Sequence, residues 1–199
     1  MTVKQQTCKQ LVKPALKSTM QDIKILWTSY RIGECTYDTL KDLHEQRVAF
    51  KEKWPKVPMG DDLEDYVFEK KEVDVEVDRL DEDEAFVLEH MTRAEGLGGA
   101  QGIFEYGPSF DYVPYDATAD YGDFFRWQLS WEGPSDELQF FVAANNKLKG
   151  VDYCYKDWFD GATVTLTGED LALATELYHW FEEAGTIDHL REEAEVYAE

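Results

Sequence analysis

Four short strand-like segments in the second half of the chain constrain its fold more than any other feature. In the first segment, FFRWQLSW (124–131), an aromatic residue or leucine occupies every second position. Three further apolar segments follow at short intervals, at residues 138–143, 151–155 and 163–166. Asn145-Asn146 and Asp160-Gly161 are turn sequences between them. Alternation with period two and short turns are typical of half-buried strands joined as hairpins. We therefore predict a four-stranded antiparallel meander.

Helices are predicted on both sides of this meander along the chain. Apolar residues fall on one helical stripe from Tyr37 to Trp54, and Pro55 ends that helix. Thr167 begins a second helix with the spacing of a capping box, and residues 187–199 form a final acidic helix. The buried stripe of the second helix is Leu171, Ala174, Leu177, Tyr178 and Phe181. The predicted class is α+β, with helices packed on one face of the sheet and a helical N-terminal segment.

The net charge of -22 is unevenly distributed along the chain. Residues 1–60 have a balance of +5, whereas residues 61–199 have a balance of -27. The composition changes at a proline-containing hinge, so we predict a mildly basic helical segment of residues 1–58 and an acidic α+β domain of residues 59–199. The chain is 43% apolar, with 11 Phe, 11 Tyr and 6 Trp, which argues against global disorder. The charge must therefore lie on the surface of a folded protein, where it affects solubility and the choice of partner.

The most regular acidic sequence is KEVDVEVDR (71–79), in which valine and acidic residues alternate. This pattern predicts an additional acidic strand, with its carboxylates about 6.6 Å apart on one face. DEDE (81–84) follows at the start of a predicted helix, where acids interact favourably with the helix dipole. The candidate partner-binding residues are Glu72, Asp74, Glu76, Asp78, Asp81, Glu82, Asp83 and Glu84.

The sequence lacks the familiar motifs of catalysis and cofactor binding. GLGGAQG (96–102) has Gln101 where a dinucleotide-binding loop needs its third glycine, so we interpret it as a flexible turn. The acids of residues 78–83 lack the ligand spacing of a calcium loop, and the four histidines lack that of a zinc site. We predict no catalytic residue, no metal and no cofactor. Four aromatic residues are assigned to the core: Trp127, Trp131, Trp158 and Phe159.

Cysteine usage and hydropathy indicate the compartment. Cys8, Cys35 and Cys154 form no close pair and no disulfide framework, which favours a reducing cytoplasm. No apolar run approaches 18 residues, and an acidic body is repelled by anionic lipids. We predict a cytoplasmic protein without a membrane partner, and the oligomeric state stays open.

A row of carboxylates can approximate the phosphates of one DNA strand and occupy the Lys and Arg side chains that bind them. In this acidic character the chain resembles the DNA-mimic anti-restriction and anti-CRISPR proteins of phages and plasmids. RWQLSWEGPSDELQFF and DWFDGA are also similar to a family of small proteins from bacterial mobile elements, over about residues 124–184.

The first resemblance implies a non-enzymatic inhibitor of a basic nucleic-acid-binding protein or complex of the host, such as a CRISPR or restriction complex. The acidic body itself would then not bind DNA. Three alternatives remain open: an immunity protein or antitoxin that caps a basic nuclease or toxin, a hydrolase with a carboxylate pair, and a solvated surface without a binding role.

Overall fold

The computed structural model describes residues 7–60, 62–118, 122–131 and 134–197. The helices are α1 (Cys8–Ile32), α2 (Glu34–Lys53), α3 (Asp62–Val77), α4 (Glu82–Glu89), α5 (Met91–Gly96), α6 (Gly102–Glu105), α7 (Gly168–Glu183) and α8 (Thr186–Tyr197). The strands are β1 (Ser109–Val113), β2 (Phe124–Gln128), β3 (Ser135–Val142), β4 (Leu148–Asp157) and β5 (Asp160–Thr165). The α+β class and the helical N-terminal segment are confirmed. Among the described residues, none of the helices has both the length and the apolar character needed to cross a membrane.

The chain divides into two compact units. We call Met1–Met20 with Tyr106–Glu199 the sheet unit, and Gln21–Glu105 the helical unit. The division expected from composition, between residues 58 and 59, falls inside the helical unit. Charge and turn residues change there, whereas the compact units are set by which apolar side chains share a core.

The sheet unit contains a five-stranded antiparallel sheet in the order β1-β2-β3-β4-β5. The predicted meander is present as β2 to β5, and β1 adds a strand that the sequence pattern did not predict. Arg126 of β2 lies opposite Asp111 of β1, and its guanidinium donates two hydrogen bonds to the Asp111 carboxylate at 3.1 and 3.2 Å. This cross-strand ion pair helps to hold the edge strand on the sheet.

On one face of the sheet, a layer of aromatic rings packs against α7. Phe125 and Phe140 lie opposite each other in β2 and β3, and both contact the ring of Tyr178 in α7. Phe181, one helical turn further on, stacks on Phe110 of β1 at a centroid distance of 4.2 Å. Spacings of two along the strands and of three along the helix bring these rings into one layer. The predicted apolar stripe of α7 therefore packs on the sheet.

The first part of α1 is attached to the same sheet face by polar contacts. Asp136 is two residues before Leu138 and four before Phe140, so its side chain is on their side of β3. Its carboxylate accepts hydrogen bonds from the Thr19 hydroxyl at 3.1 Å and the Tyr153 hydroxyl at 2.8 Å. The amide of Cys8, at the start of α1, donates to Asp160 of β5 at 2.7 Å.

The helical unit is built around α2, which confirms the predicted N-terminal helix. Leu40 and Leu43 of α2 pack against Val87, Leu88 and Met91 of α4 and α5. These side chains are buried, and together they form the core that positions the acidic segment 62–84.

Candidate functional site: the acidic segment of the helical unit

The acidic sequence 71–78 is helical, so the prediction of an additional acidic strand is wrong. Residues Asp62–Val77 form α3, and the amide of Asp78 continues its hydrogen-bond pattern by donating to the Asp74 carbonyl at 2.9 Å. Valines at every second position fit a strand, but Val73, Val77 and Leu80 also have the spacing of one helical stripe. Val77 and Leu80 pack against the core of the helical unit, and this burial decides the outcome.

The helix separates the four acids that were predicted to lie in one row. Residues two apart on a helix point about 200° apart, whereas residues four apart are neighbours. Glu72 and Glu76 therefore share one side of α3, and Asp74 and Asp78 share another. Asp74 pairs with Lys70, and Glu76 pairs with Arg79 at 2.9 Å. The four carboxylates therefore do not form one continuous row. They lie two on one side of α3 and two on another.

The four acids of DEDE (81–84) have different roles in the structure. Asp81 and Glu84 form a capping box at the start of α4, in which each carboxylate accepts a backbone N–H of the other residue, at 2.9 and 3.0 Å. Asp83 pairs with Arg31 at 3.2 Å. Asp81 and Glu84 are therefore held by the helix cap, which explains part of the acid cluster without any partner.

Three of the eight predicted residues remain as exposed carboxylates. Glu72, Asp78 and Glu82 are exposed, and none of their side chains makes a hydrogen bond or ion pair within the described part of the chain. These three carboxylates are the members of the predicted set that a basic partner can reach without displacing an internal cation.

The inner side of α3 is fixed to α2 and the hinge after it. The ring of Tyr66 contacts those of Phe50 and Trp54 at centroid distances of 5.5 and 5.9 Å. Glu69 accepts hydrogen bonds from the Lys53 ammonium at 2.5 Å and the Trp54 indole N–H at 2.9 Å. Hydrogen bonding to Lys53 and Trp54 lowers the pKa of Glu69 below its usual value. These contacts leave the opposite side of α3 facing solvent.

We call that solvent-facing side the outer face of α3. It carries four uncovered apolar side chains: Leu63, Val67, Phe68 and Val75, which are 37–65% exposed. Helical spacing places Glu64, Asp74, Asp78 and also Lys71 between them, and Asp74 is the acid that pairs with Lys70. The predicted strand placed Val75 on its buried side, so the sequence analysis did not identify this surface. A spacing of four between Leu63 and Val67, and of seven between Phe68 and Val75, was the available sequence signal.

The two compact units carry equal net charge, although the charge is unevenly distributed along the sequence. The helical unit has 11 Lys+Arg and 22 Asp+Glu, and the sheet unit has 9 and 20, so each has a net charge of -11. Seven of the eleven basic residues of segment 1–60 lie in the same unit as the acids of α3, and the other four belong to the sheet unit. Net charge therefore does not distinguish the two units, and only local arrangement can.

The sheet unit exposes two aromatic residues that were assigned to the core. Trp158 and Phe159 are 89% and 102% exposed at the turn between β4 and β5. The predicted turn residues Asp160 and Gly161 instead begin β5. Trp131 is also exposed, because β2 ends at Gln128, whereas Trp127 is buried as predicted. Aromatic composition alone could not distinguish a turn from a strand position.

No group of three or more His, Cys, Asp or Glu side chains among the described residues is arranged to hold a metal ion. The chain matches no protein-family model, no curated protein and no solved structure.

Proposed function

We propose that this chain is a non-enzymatic inhibitor that binds a basic, nucleic-acid-binding protein of a bacterial defence system through the outer face of α3. The observation that carries the proposal is that this face combines exposed carboxylates with four uncovered apolar side chains. Carboxylates attract the Lys and Arg side chains that otherwise contact phosphate. All three cysteines are free thiols, which is consistent with action in the cytoplasm.

Two features of the surface support a protein partner. Uncovered apolar side chains rimmed by charged residues are typical of interfaces. The net charge of -11 on the helical unit favours a basic partner and repels nucleic acid and anionic lipid. The carboxylates would then determine the rate of encounter, and the apolar side chains the lifetime of the complex.

The apolar component also supports a second candidate, an immunity protein or antitoxin that caps one basic toxin. A surface that only imitates phosphate needs carboxylates, whereas a surface specific for one protein gains from apolar contacts. Added DNA distinguishes the two candidates. It should displace the inhibitor from a target whose DNA site the inhibitor occupies. It should not displace an immunity protein that binds its toxin away from the DNA site.

The test is a capture experiment with the full chain on bacterial lysate, followed by inhibition of DNA cleavage by the nuclease captured. Duplex DNA added as competitor should displace the target, and binding should weaken with salt. Neutralising the outer face by Glu64→Gln, Asp74→Asn and Asp78→Asn should reduce inhibition at least about tenfold, the effect of losing about 1.4 kcal/mol of binding free energy.

The matched control is Asp42→Asn, Glu45→Gln and Glu52→Gln, which changes the charge equally at exposed positions of α2. An equal loss in both variants would mean that only the overall charge matters. Unchanged inhibition in the α3 variant would refute the outer face as the contact. Val67→Ser with Phe68→Ser should leave the association rate unchanged and accelerate dissociation.

A further inference from the structure

The helical unit contains a cavity of about 460 Å³ whose polar side chains are mainly basic, although the unit is acidic overall. His44, Arg47 and Lys51 of α2 line it, with Glu89 of α4 as the one carboxylate among the lining residues. Cavities of this volume are within the range of small-molecule sites. The cavity is separate from the outer face of α3.

The basic side chains of this cavity differ from most others in the unit. Six of the eleven Lys and Arg residues of the unit pair with a carboxylate, and Lys24 lies over the ring of Phe86 at 4.9 Å. The pairs are Arg31–Asp83, Lys41–Glu95, Lys53–Glu69, Lys70–Asp74, Arg79–Glu76 and Arg93–Asp22. Within the described residues, neither Arg47 nor Lys51 has a hydrogen bond or an ion pair.

Arg47 and Lys51 are also four residues apart on α2, so their like charges face the same side of the helix and repel. Arg47 and Lys51 are therefore two neighbouring cations that make no ion pair within the described residues, although Glu89 also lines the cavity. A bound anion would relieve this repulsion and would be held by two cations at once.

The remaining wall of the cavity is apolar. Val48 of α2, Val77 at the end of α3, Leu80 just after α3, and Leu88 of α4 line it. Leu88 is buried and Val48 is 41% exposed, so the apolar surface extends from the core to the mouth. A simple inorganic anion would leave this surface uncovered, whereas an anion with an apolar body would cover it.

We propose that this cavity binds a small organic anion, in which a carboxylate or phosphate group contacts Arg47 and Lys51 and an apolar body lies on Val48, Val77 and Leu80. The site does not depend on the proposed function, since it uses none of the residues of the outer face. It would give the protein a ligand-dependent contact between α2, the end of α3 and α4.

Calorimetric titration of the full chain with four probes tests the proposal. Octanoate and octyl phosphate have both an anionic group and an apolar body, whereas inorganic phosphate and octanol each have one of the two. We expect at least one of the first pair to bind at least tenfold more tightly than either of the second pair. The comparison of octanoate with octyl phosphate identifies the anionic group. Equal binding of octanol, or no binding of either amphiphile at millimolar concentration, would overturn the proposal.

Variants assign the binding to this cavity. Arg47→Gln with Lys51→Gln should weaken the preferred probe at least tenfold, and Arg47→Lys should retain more of the binding than Arg47→Gln because the charge is kept. The matched control is Lys56→Gln with Lys71→Gln, which removes two exposed lysines outside the cavity and should bind as the wild type does. An equal loss in the control, or no loss in the cavity variant, would refute the site. If the double variant is poorly folded, the single variant Arg47→Gln decides the matter: it should bind more weakly than Arg47→Lys, and equal affinities of the two would refute the contact with Arg47.

Discussion

A buried carboxylate on the sheet offers a sharp test of how the sheet unit is stabilised. The side chain of Glu137 in β3 is 3% exposed and pairs with the Lys156 ammonium of β4 at 2.8 Å, while the amide of Gln139 donates to it at 2.5 Å. Lys156→Met removes the cation and leaves a buried carboxylate with one neutral donor. Breaking a fully buried ion pair costs about 3–5 kcal/mol. Because the Lys156 side chain is 47% exposed and partly screened by water, we expect a smaller loss, about 1–3 kcal/mol.

The reasoning predicts an asymmetry between the two partners. Glu137→Gln removes the charge that needs compensation and keeps a polar group of similar shape, so its cost should be at most about 1 kcal/mol. The double variant Glu137→Gln with Lys156→Met should therefore be more stable than Lys156→Met alone. A coupling of this sign indicates that the uncompensated carboxylate, and not lost packing of the lysine chain, causes the destabilisation.

Hydrogen exchange of the β3 and β4 amides over a urea series measures the free energy of opening of the sheet unit separately from that of the helical unit. Lys149→Met is the matched control, since it makes the same substitution at an exposed position of β4. The explanation is refuted if Lys156→Met costs no more than Lys149→Met, or if the double variant is no more stable than Lys156→Met.

Two further predictions concern the sheet unit. Burial raises the pKa of Tyr178 to about 12, whereas an unfolded tyrosine ionises at about 10. The unfolded state therefore loses its proton first, and the wild type should lose stability between these pH values. Tyr178→Phe should cost about 1 kcal/mol of stability at pH 7, because it removes the 2.6 Å hydrogen bond to the Asn146 carbonyl. In urea unfolding between about pH 10 and 12, this variant should lose less stability than the wild type, since it has no hydroxyl to ionise. The same decline of stability with pH in both proteins would contradict this. Gly107 has a φ of +87°, and Gly107→Ala places a Cβ 2.3 Å from the Gln128 carbonyl oxygen, so this variant should lose at least about 2 kcal/mol of stability in thermal unfolding. The control is Gly150→Ala, whose Cβ meets nothing within 4 Å and should be nearly neutral. Similar effects of the two substitutions would contradict the steric explanation.

The sequence predicted best the elements in which the spacing of apolar residues fits only a strand or only a helix. Residues 124–128 alternate over a short segment between turns, and the helix over 34–53 repeats its apolar side chains over five turns. Strand β1 was missed because Pro108 and Pro114 enclose only five residues, and its partner Arg126 is distant in sequence. Its pairing is a tertiary interaction, which local pattern does not contain.

The acidic segment was misassigned for a related reason. Alternating valines satisfy both a strand and, through Val73, Val77 and Leu80, a helix, so the local pattern left two solutions. The choice depended on contact of Val77 and Leu80 with a core that includes Leu40 and Leu43 of α2, more than thirty residues earlier in the chain. The eight candidate residues could therefore be located in the sequence, but their roles as cap, ion-pair partner or free carboxylate followed only from the helix.

The charge distribution constrains how the proposed partner can be recognised. If net charge alone attracted a basic partner, the two units would be equally attractive, since each carries -11. Specific binding therefore requires a feature that long-range charge does not supply, and the outer face of α3 has one in its uncovered apolar side chains. Added salt should then mainly lower the association rate, because it screens the long-range field and leaves apolar burial intact. Substitution of Val67 and Phe68 should mainly raise the dissociation rate, because it removes apolar contacts. A partner whose dissociation rate followed salt and ignored Val67 and Phe68 would be bound by charge alone, and the acidic surface as a whole, not α3, would then be the binding site.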